Sequence, residues 1–279
     1  MRIQIFLILF ACLFLFSCQK ELDPGPGNGG GGNGGGGGGA TTGKLLIKIL
    51  QVSVATSDTN IVTCQWNANK RLIEYKSSGV VNGINTDILH TISRTADDKI
   101  TRIVSINSLG SADSIVYRPV YSGNRITYII DTQYTFIGDQ RDSSALTYNS
   151  SGQLISKETF GEFFGIPLPS TKETYTYDSN GNLTVVTTLI AGVTTAMTSY
   201  TYDAHASAIV CGEECYVILG AYNVSKNNTT KAISNAVSSG TTYTLTYSQQ
   251  QYNANNQPTQ ESLSIVPSGF DQRVWFYYQ

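Results

Sequence analysis

The side chains best suited to chemistry gather in one short stretch of the chain. Asp203 and His205 precede Cys211 and Cys215, and two glutamates lie between the cysteines. Imidazole, thiolate and carboxylate groups at short range could hold Zn²⁺, but this spacing matches no structural zinc pattern. Cysteines outside the cytoplasm more often oxidise. We therefore predict no metal site. A disulfide between Cys211 and Cys215 is one option, and Cys64 is an alternative partner for either of them.

No other part of the sequence indicates a catalytic group. Neither of the two histidines, His90 and His205, lies in a motif that pairs a nucleophile with a base. His90 sits in a strand-like run, which favours a cross-strand contact. Three glutamates could supply a carboxylate pair for glycoside hydrolysis: Glu158, Glu162 and Glu173. Exposed charges that discourage edge pairing explain them equally well. We predict that the protein is not an enzyme and has no cofactor.

The N-terminus has the pattern of a secretory signal. Arg2 gives a positive start, and an apolar run over residues 3–16 leads to Ser17 and Cys18. The run is about 14 residues long, shorter than the roughly 20 that a spanning helix needs. Leu15-Phe16-Ser17-Cys18 resembles a lipobox, which implies cleavage before Cys18 and lipidation of its sulfur. We predict a lipoprotein signal peptide at residues 1–17 and membrane attachment through palmitate or a similar chain on Cys18.

Glycine dominates the segment that follows, from Pro24 to Gly39. Glycine loses the most entropy on ordering and offers no side chain to bury. A phosphate-binding loop is excluded, because no strand precedes the run and no GK[ST] follows it. We predict that residues 18–43 form a lipidated, flexible tether and that residues 44–279 form the folded domain.

Composition restricts the partners and favours sheet. The net charge is −2 and 14% of the residues are charged, whereas nucleic-acid binding needs a basic face. Threonine, serine, tyrosine, valine and isoleucine are abundant, and these residues suit pleated sheets. We therefore predict an all-β domain that binds no nucleic acid.

A recurring turn organises this domain. Tyr177-Asp178-Ser179-Asn180-Gly181-Asn182-Leu183 is the clearest copy, and similar segments begin at Trp66, Tyr148 and Tyr252. Asp or Asn after the aromatic residue can start a turn, and Gly or Asn three residues later supplies positive φ. Each copy is therefore a β-hairpin. Because a lone hairpin is marginal in water, we predict an antiparallel meander of hairpins forming a long twisted or partly rolled sheet.

Tyrosines at alternating positions are the main binding candidates. The chain has 17 tyrosines, and residues two apart on a strand share one face. An exposed aromatic row could stack on sugar rings or dock a protein. The alternative is that these rings form the apolar side of the sheet. The candidate face consists of Tyr175, Tyr177, Tyr200, Tyr202, Tyr243 and Tyr247.

The hairpin pattern resembles a known repeat. Y-x-Y-D-x-x-G-N-L around Tyr177 is similar to the YD repeat of RHS-like proteins. The order of lipobox, low-complexity linker and hairpins resembles Bacteroidetes-type lipoproteins of unknown function, and residues 223–230 are similar to a segment that recurs in that group. The resemblance implies an envelope location and is silent on activity.

Together these features predict a cell-envelope lipoprotein. It would be lipid-anchored at the outer membrane, on the cell surface or the periplasmic leaflet. Its sheet would bind a glycan or an envelope protein without catalysis. Two alternatives remain open: a structural or scaffolding component of an envelope assembly, and an envelope hydrolase.

Overall fold

The computed structural model describes residues 44–81, 83–108, 114–135, 138–163, 165–210 and 225–279, and the backbone of Cys18 and Gln19. Nearly all of the described chain is antiparallel strand. The sixteen main strands are β1 (Leu46–Ser53), β2 (Thr59–Trp66), β3 (Leu72–Val81), β4 (Ile84–Arg94), β5 (Ile100–Asn107), β6 (Ser114–Ser122), β7 (Arg125–Thr135), β8 (Gly138–Tyr148), β9 (Leu154–Phe163), β10 (Thr171–Tyr177), β11 (Leu183–Ile190), β12 (Val193–Ala206), β13 (Asn227–Ala236), β14 (Thr241–Tyr252), β15 (Pro258–Val266) and β16 (Phe270–Tyr278).

The sheet closes into a barrel because the last strand pairs with the first. β16 runs antiparallel to β1, from Gln272 opposite Ser53 to Tyr278 opposite Leu46. All other neighbouring main strands are also consecutive in sequence. The predicted all-β meander of hairpins is confirmed. The predicted long twisted or partly rolled sheet is wrong, because closure pairs the two edge strands that such a sheet would leave open.

One face of each strand points into the barrel and packs there. In β2, Asn60, Val62 and Cys64 are buried, whereas Thr59 and Gln65 are exposed. Each of the sixteen strands contributes to a single apolar core, in which Ile49 and Ile103 are fully buried. A round barrel of this strand number leaves a water-filled channel. Here side chains fill the interior instead.

The outward face is rich in threonine, serine and charge. Lys76 Nζ on β3 lies 3.3 Å from Asp87 Oδ1 on β4, and Lys172 Nζ on β10 lies 3.5 Å from Glu158 Oε2 on β9. Lys76 follows the buried Tyr75, and Lys172 lies three residues before the buried Tyr175, so both point away from the core, as do their partners Asp87 and Glu158. More charged side chains share the outward face, and these include Arg102, Arg118, Arg141, Lys231 and Arg273.

The recurring turn of the sequence lies at one end of the barrel, called the near end here. The near end holds Lys44, Gln279 and the connections that follow the even-numbered strands. Within the copy at Asp178, Oδ1 accepts hydrogen bonds from the backbone nitrogens of Asn180 and Asn182, at 2.9 and 2.8 Å. Gly181 has φ +87, which glycine adopts without strain. The predicted turn chemistry is therefore observed.

At four near-end turns and at the C-terminal end of β16, an aromatic side chain hydrogen-bonds to the strand immediately before its own. The Tyr177 hydroxyl donates to the carbonyl of Leu154 at 2.8 Å. The same contact is made by Trp66 to Leu46, Tyr148 to Ile126, Tyr202 to Leu183 and Tyr278 to Pro258. The accepting residues are themselves buried, so the bonds satisfy carbonyls at the edge of the core.

The connections that follow odd-numbered strands lie at the opposite end, called the far end. There, the two-residue strand Ile166–Pro167 pairs with the end of β9. Separately, Cys18–Gln19 forms a two-residue parallel pairing with Ile209–Val210. Within the described ranges, no helix is long and apolar enough to cross a membrane.

Candidate functional site

Two irregular strands place a polar cluster at the near end. Between Tyr202, opposite Thr229, and Ala206, opposite Asn227, β12 has three residues where β13 has one, so it carries two extra residues. β14 is irregular at the same level, between Ser248 and Gln251, and Gln249 there has φ +52. Bulges re-aim side chains and are common beside functional sites. Here they direct side chains of β12 and β14 towards each other, across β13.

Asp203, His205 and Tyr252 form the centre of this cluster. The Tyr252 hydroxyl bonds to the Asp203 carboxylate, and the His205 ring stacks on the Tyr252 ring with centroids 3.7 Å apart. His205 Nδ1 lies 3.4 Å from Asp203 Oδ2. The Tyr252 oxygen is also 2.9 Å from Gln250 Oε1. A phenol has one proton to donate, so the two oxygen acceptors compete for it.

Glu261 lies behind this centre and is almost fully buried, at 4% exposed. Gln250 Nε2 approaches its carboxylate at 3.5 Å. Burial, reinforced by the negative charge of Asp203, raises the pKa of Glu261 to about 8. Burial likewise raises the pKa of Tyr252, and the hydrogen bond to Asp203 adds to that rise. At neutral pH the cluster therefore holds a protonated carboxyl in the barrel and a phenol at its mouth.

A groove of about 960 Å³ opens beside the cluster. It runs between the 178–182 turn, β12 and residues 226–227, and Asp203 belongs to both the groove and the cluster. Asn182 Nδ2 donates to Asn227 Oδ1 at 3.0 Å and closes one side. Its polar lining can exchange hydrogen bonds with a hydroxyl-rich or amide ligand, while the cluster can take up or release a proton.

A second set of charged side chains faces the interior between β7 and β10. Asp131 and Asp142 are direct cross-strand partners, and Lys157 is the partner of Glu173 on the next pair of strands. Burial, with a further contribution from the Asp142 charge, raises the pKa of Asp131 to about 6. Adjacent like charges and partial burial explain this shift.

The six tyrosines of the predicted binding face point inwards. Tyr175 is 5% exposed and belongs to the core, and Tyr177, Tyr200, Tyr243 and Tyr247 pack against the core. The Tyr202 hydroxyl donates to the carbonyl of the buried Leu183. Tyr200 and Tyr202 also line the groove. The tyrosines therefore do not form an exposed aromatic row, because strand alternation turns them towards the side that the closed barrel buries. Ligand binding by any of these six residues stays a prediction.

The cysteines divide into three cases. Cys64 is buried and free, and burial raises the pKa of its thiol to about 12, so it is unreactive in the fold. Cys211 and Cys215 lie outside the described residues, and their disulfide stays a prediction. Lipidation of Cys18 is likewise untested by the fold. Within the described ranges, no group of three or more His, Cys, Asp or Glu side chains could hold a metal ion.

The sequence singled out Asp203 and His205 but not Glu261 or Gln250. The alternation did hold a signal, since Glu261 shares a strand face with Leu263 and Ile265, both buried. An acid in register with two core aliphatics indicates a buried carboxyl. The pairing with Asp203 could not be read from the sequence, because it depends on two bulges.

Comparison with solved structures places the barrel among porin-like folds. A porin-like protein from Bacteroides uniformis ATCC 8492 superposes with a TM-score of 0.56 and 14% identity, over 86% of this chain and 99% of that one. The barrel has a porin-like fold. A porin-like protein from Bacteroides vulgatus ATCC 8482 gives a TM-score of 0.47 at 11% identity, over 85% and 99% of the two chains. No protein-family model and no curated protein matches the chain.

These findings correct the predictions drawn from resemblance. The assignment to lipoproteins with YD or RHS-like repeats is wrong, because the hairpins close into a single sixteen-strand barrel of porin-like fold. The predicted function is wrong for the same reason. We predicted a lipid-anchored sheet that offers one aromatic face to a glycan or a protein. The structure is a closed barrel, and its aromatic face is inside.

Proposed function

We propose that this chain is a porin-like barrel protein of the outer membrane that does not form an open channel. Two observations support the location: the signal-like N-terminal run at residues 3–16, and the fold shared with a porin-like bacterial protein. The filled interior carries the functional part of the proposal.

The interior argues against conduction. Large side chains on opposite sides of the ring, such as Ile49 and Leu154, are at most 2% exposed and belong to one core. Packed interiors leave few voids larger than a water molecule. A solute could pass only if this core were displaced, and that would expose the apolar surface that stabilises the fold.

The outward face argues that water, not lipid, surrounds the strands. A membrane-spanning barrel presents an apolar band about 25 Å tall, and a Lys or Arg at its midplane costs about 2–4 kcal/mol. Lys76 lies in the middle of β3 on the outward face, and Lys172 and Arg273 are also outward. The proposal therefore places the barrel against the membrane rather than through it.

Electrical recording across a planar bilayer tests this function. Purified full-length chain should give no stepwise conductance under conditions in which a general porin does, and it should stay folded without detergent. Regular conductance steps would contradict the proposal, as would a requirement for detergent to keep the β-sheet circular dichroism signal.

A further inference from the structure

The two rims of the barrel differ in chemistry. Near-end turns carry seven charged side chains within the described residues: Lys70, Arg71, Asp97, Asp98, Lys99, Asp178 and Lys226. Far-end turns carry one in the described ranges, Asp58. Turns at both ends face water in an isolated barrel, so exposure alone does not explain why the charges concentrate at one rim.

The far rim is apolar as well as poor in charge in its described turns. Among the described residues, six large hydrophobic side chains are more than half exposed, and all six are at this rim. They are Val54, Ile166, Leu168, Val193, Val237 and Val266. Val193 and Ile166 reach 67% and 65% exposure. Single exposed apolar residues are normal, but a set confined to one surface marks a contact site.

These residues form a continuous arc. Five far-end hairpins, from β9–β10 round through β15–β16 to β1–β2, are adjacent in the closed ring. Each of the five carries at least one of the six side chains. The arc lies on strand tips around one end of the barrel axis, and such an arrangement fits a flat surface better than a cleft or a single helix.

We propose that this far rim docks the barrel end-on onto a lipid bilayer, with its apolar tips in the interfacial layer. The inference rests on the proposed outer-membrane location and adds the face that makes the contact. Apolar side chains bind by entering the boundary between headgroups and acyl chains. Because the described far-end turns hold no Lys or Arg, the contact does not depend on anionic headgroups, and salt does not weaken it.

Vesicle flotation of the full-length chain tests the docking. The probes are neutral phosphatidylcholine vesicles, and the same vesicles containing phosphatidylglycerol. The rim variant combines Val193→Ser, Val237→Ser and Val266→Ser. The control variant makes equal changes on the barrel wall: Val120→Ser, Ile130→Ser and Met197→Ser, at residues that are 40–44% exposed. The rim variant should lose about tenfold or more of its vesicle affinity, and the wall variant should lose little.

A second measurement shows which rim touches the lipid, even if another part of the chain also binds the vesicles. Val237→Trp places an indole at the far rim, and Asn124→Trp places one in a near-end turn. Vesicles of brominated phosphatidylcholine should quench the fluorescence of the indole at position 237 and leave that of the indole at position 124 unchanged. The docking is overturned if both variants are spared, if the near-end indole is the one quenched, or if rim substitutions leave vesicle affinity unchanged.

The outcomes separate the two proposals. Conductance across a bilayer contradicts the filled, water-facing barrel, whichever rim touches lipid. Unquenched rim indoles in a non-conducting barrel contradict only the docking. If the rim substitutions instead abolish self-association measured by sedimentation in the absence of vesicles, a second copy of the chain occupies the rim and the bilayer assignment is wrong.

Discussion

The hydroxyl of Tyr177 at the end of β10 donates a 2.8 Å hydrogen bond to the backbone carbonyl of Leu154, which begins the neighbouring strand β9. The two strands are adjacent, and their backbone pairing runs from Ser156 opposite Thr174 to Thr159 opposite Thr171, so the hydroxyl joins them nearer the near end than this ladder reaches. Such contacts explain how the repeated turn builds a regular barrel end. In each of them, the aromatic residue at the end of one strand holds the start of the strand before it.

Tyr177→Phe should therefore weaken the fold while keeping the ring. Loss of the donor leaves a carbonyl at the core edge without this partner, at a cost of about 1–2 kcal/mol. Urea unfolding followed by circular dichroism measures the change. Tyr277→Phe is the matched control, because Tyr277 is exposed on the outward face, and surface changes stay within about 0.5 kcal/mol. Equal losses in the two variants would contradict the anchoring role.

Glu261 should make the fold less stable as pH rises. Its pKa is about 8 in the fold against an ordinary value of 4.5, so between these pH values the native state binds more protons than the unfolded state. Stability then falls with rising pH and levels off above about pH 8. Denaturation at successive pH values measures this slope, and Glu261→Gln should flatten it and be the more stable protein at pH 8–9.

The clearest window for that measurement is pH 6.5–8. Burial lowers the pKa of His90 to about 4 from 6.5, so stability changes in the opposite direction between those values. Asp131, with a pKa raised to about 6, acts in the same sense as Glu261 but only below that pH. Glu158→Gln, on the outward face, is the control and should keep the slope. A flat profile of the wild type across this window would rule out a buried, protonated Glu261.

Two glycines at the same far-end hairpin should respond very differently to alanine. Gly79 has φ +140, and an added Cβ would lie 2.1 Å from the Thr59 carbonyl oxygen. Gly83 has φ +73 with open space around it. Gly79→Ala should cost about 3 kcal/mol or more or prevent folding, whereas Gly83→Ala should cost about 1 kcal/mol. Thermal melts of both variants provide the comparison, and similar losses would mean that β2 and β3 are not packed this closely.

Cys64 should be inert until the barrel opens. Its thiol is buried, with a pKa of about 12, and the thiolate is the reactive form. Labelling with iodoacetamide, followed by mass spectrometry of the peptide containing Cys64, should proceed at least about 100-fold faster in urea than in buffer. Rapid labelling of the native protein would show that the β2 side chains do not face a packed interior.

The hairpins could be predicted because their determinants are local. Asp178 and Gly181 specify their turn within five residues, and the alternation of Thr174 to Tyr177 specifies the strand before it. Closure could not be predicted in this way. The pairing of Val274 with Gln51 joins opposite ends of the domain. No feature of either strand's sequence indicates which strand it will pair with.

The error over the tyrosines has the same origin. Alternation indicates that Tyr175 and Tyr177 share a face, but it does not say whether that face meets water or core. In an open sheet one face could be exposed, whereas in the filled barrel this aromatic face packs on the core, and side chains such as Lys76 and Lys172 lie outside. The cluster around Glu261 was missed because bulges in β12 and β14, not strand periodicity, bring it to Asp203.

The fluorescence of Trp275 tests the filled, water-facing barrel most directly. Trp275 lies on the outward face of β16, opposite Leu50, and Trp66→Tyr removes the second tryptophan while keeping the aromatic anchor that other near-end turns use. With the full-length protein bound to vesicles, aqueous acrylamide should quench Trp275 and brominated lipid should not. Quenching by brominated lipid with protection from acrylamide would show that lipid surrounds the strands, and would contradict the account.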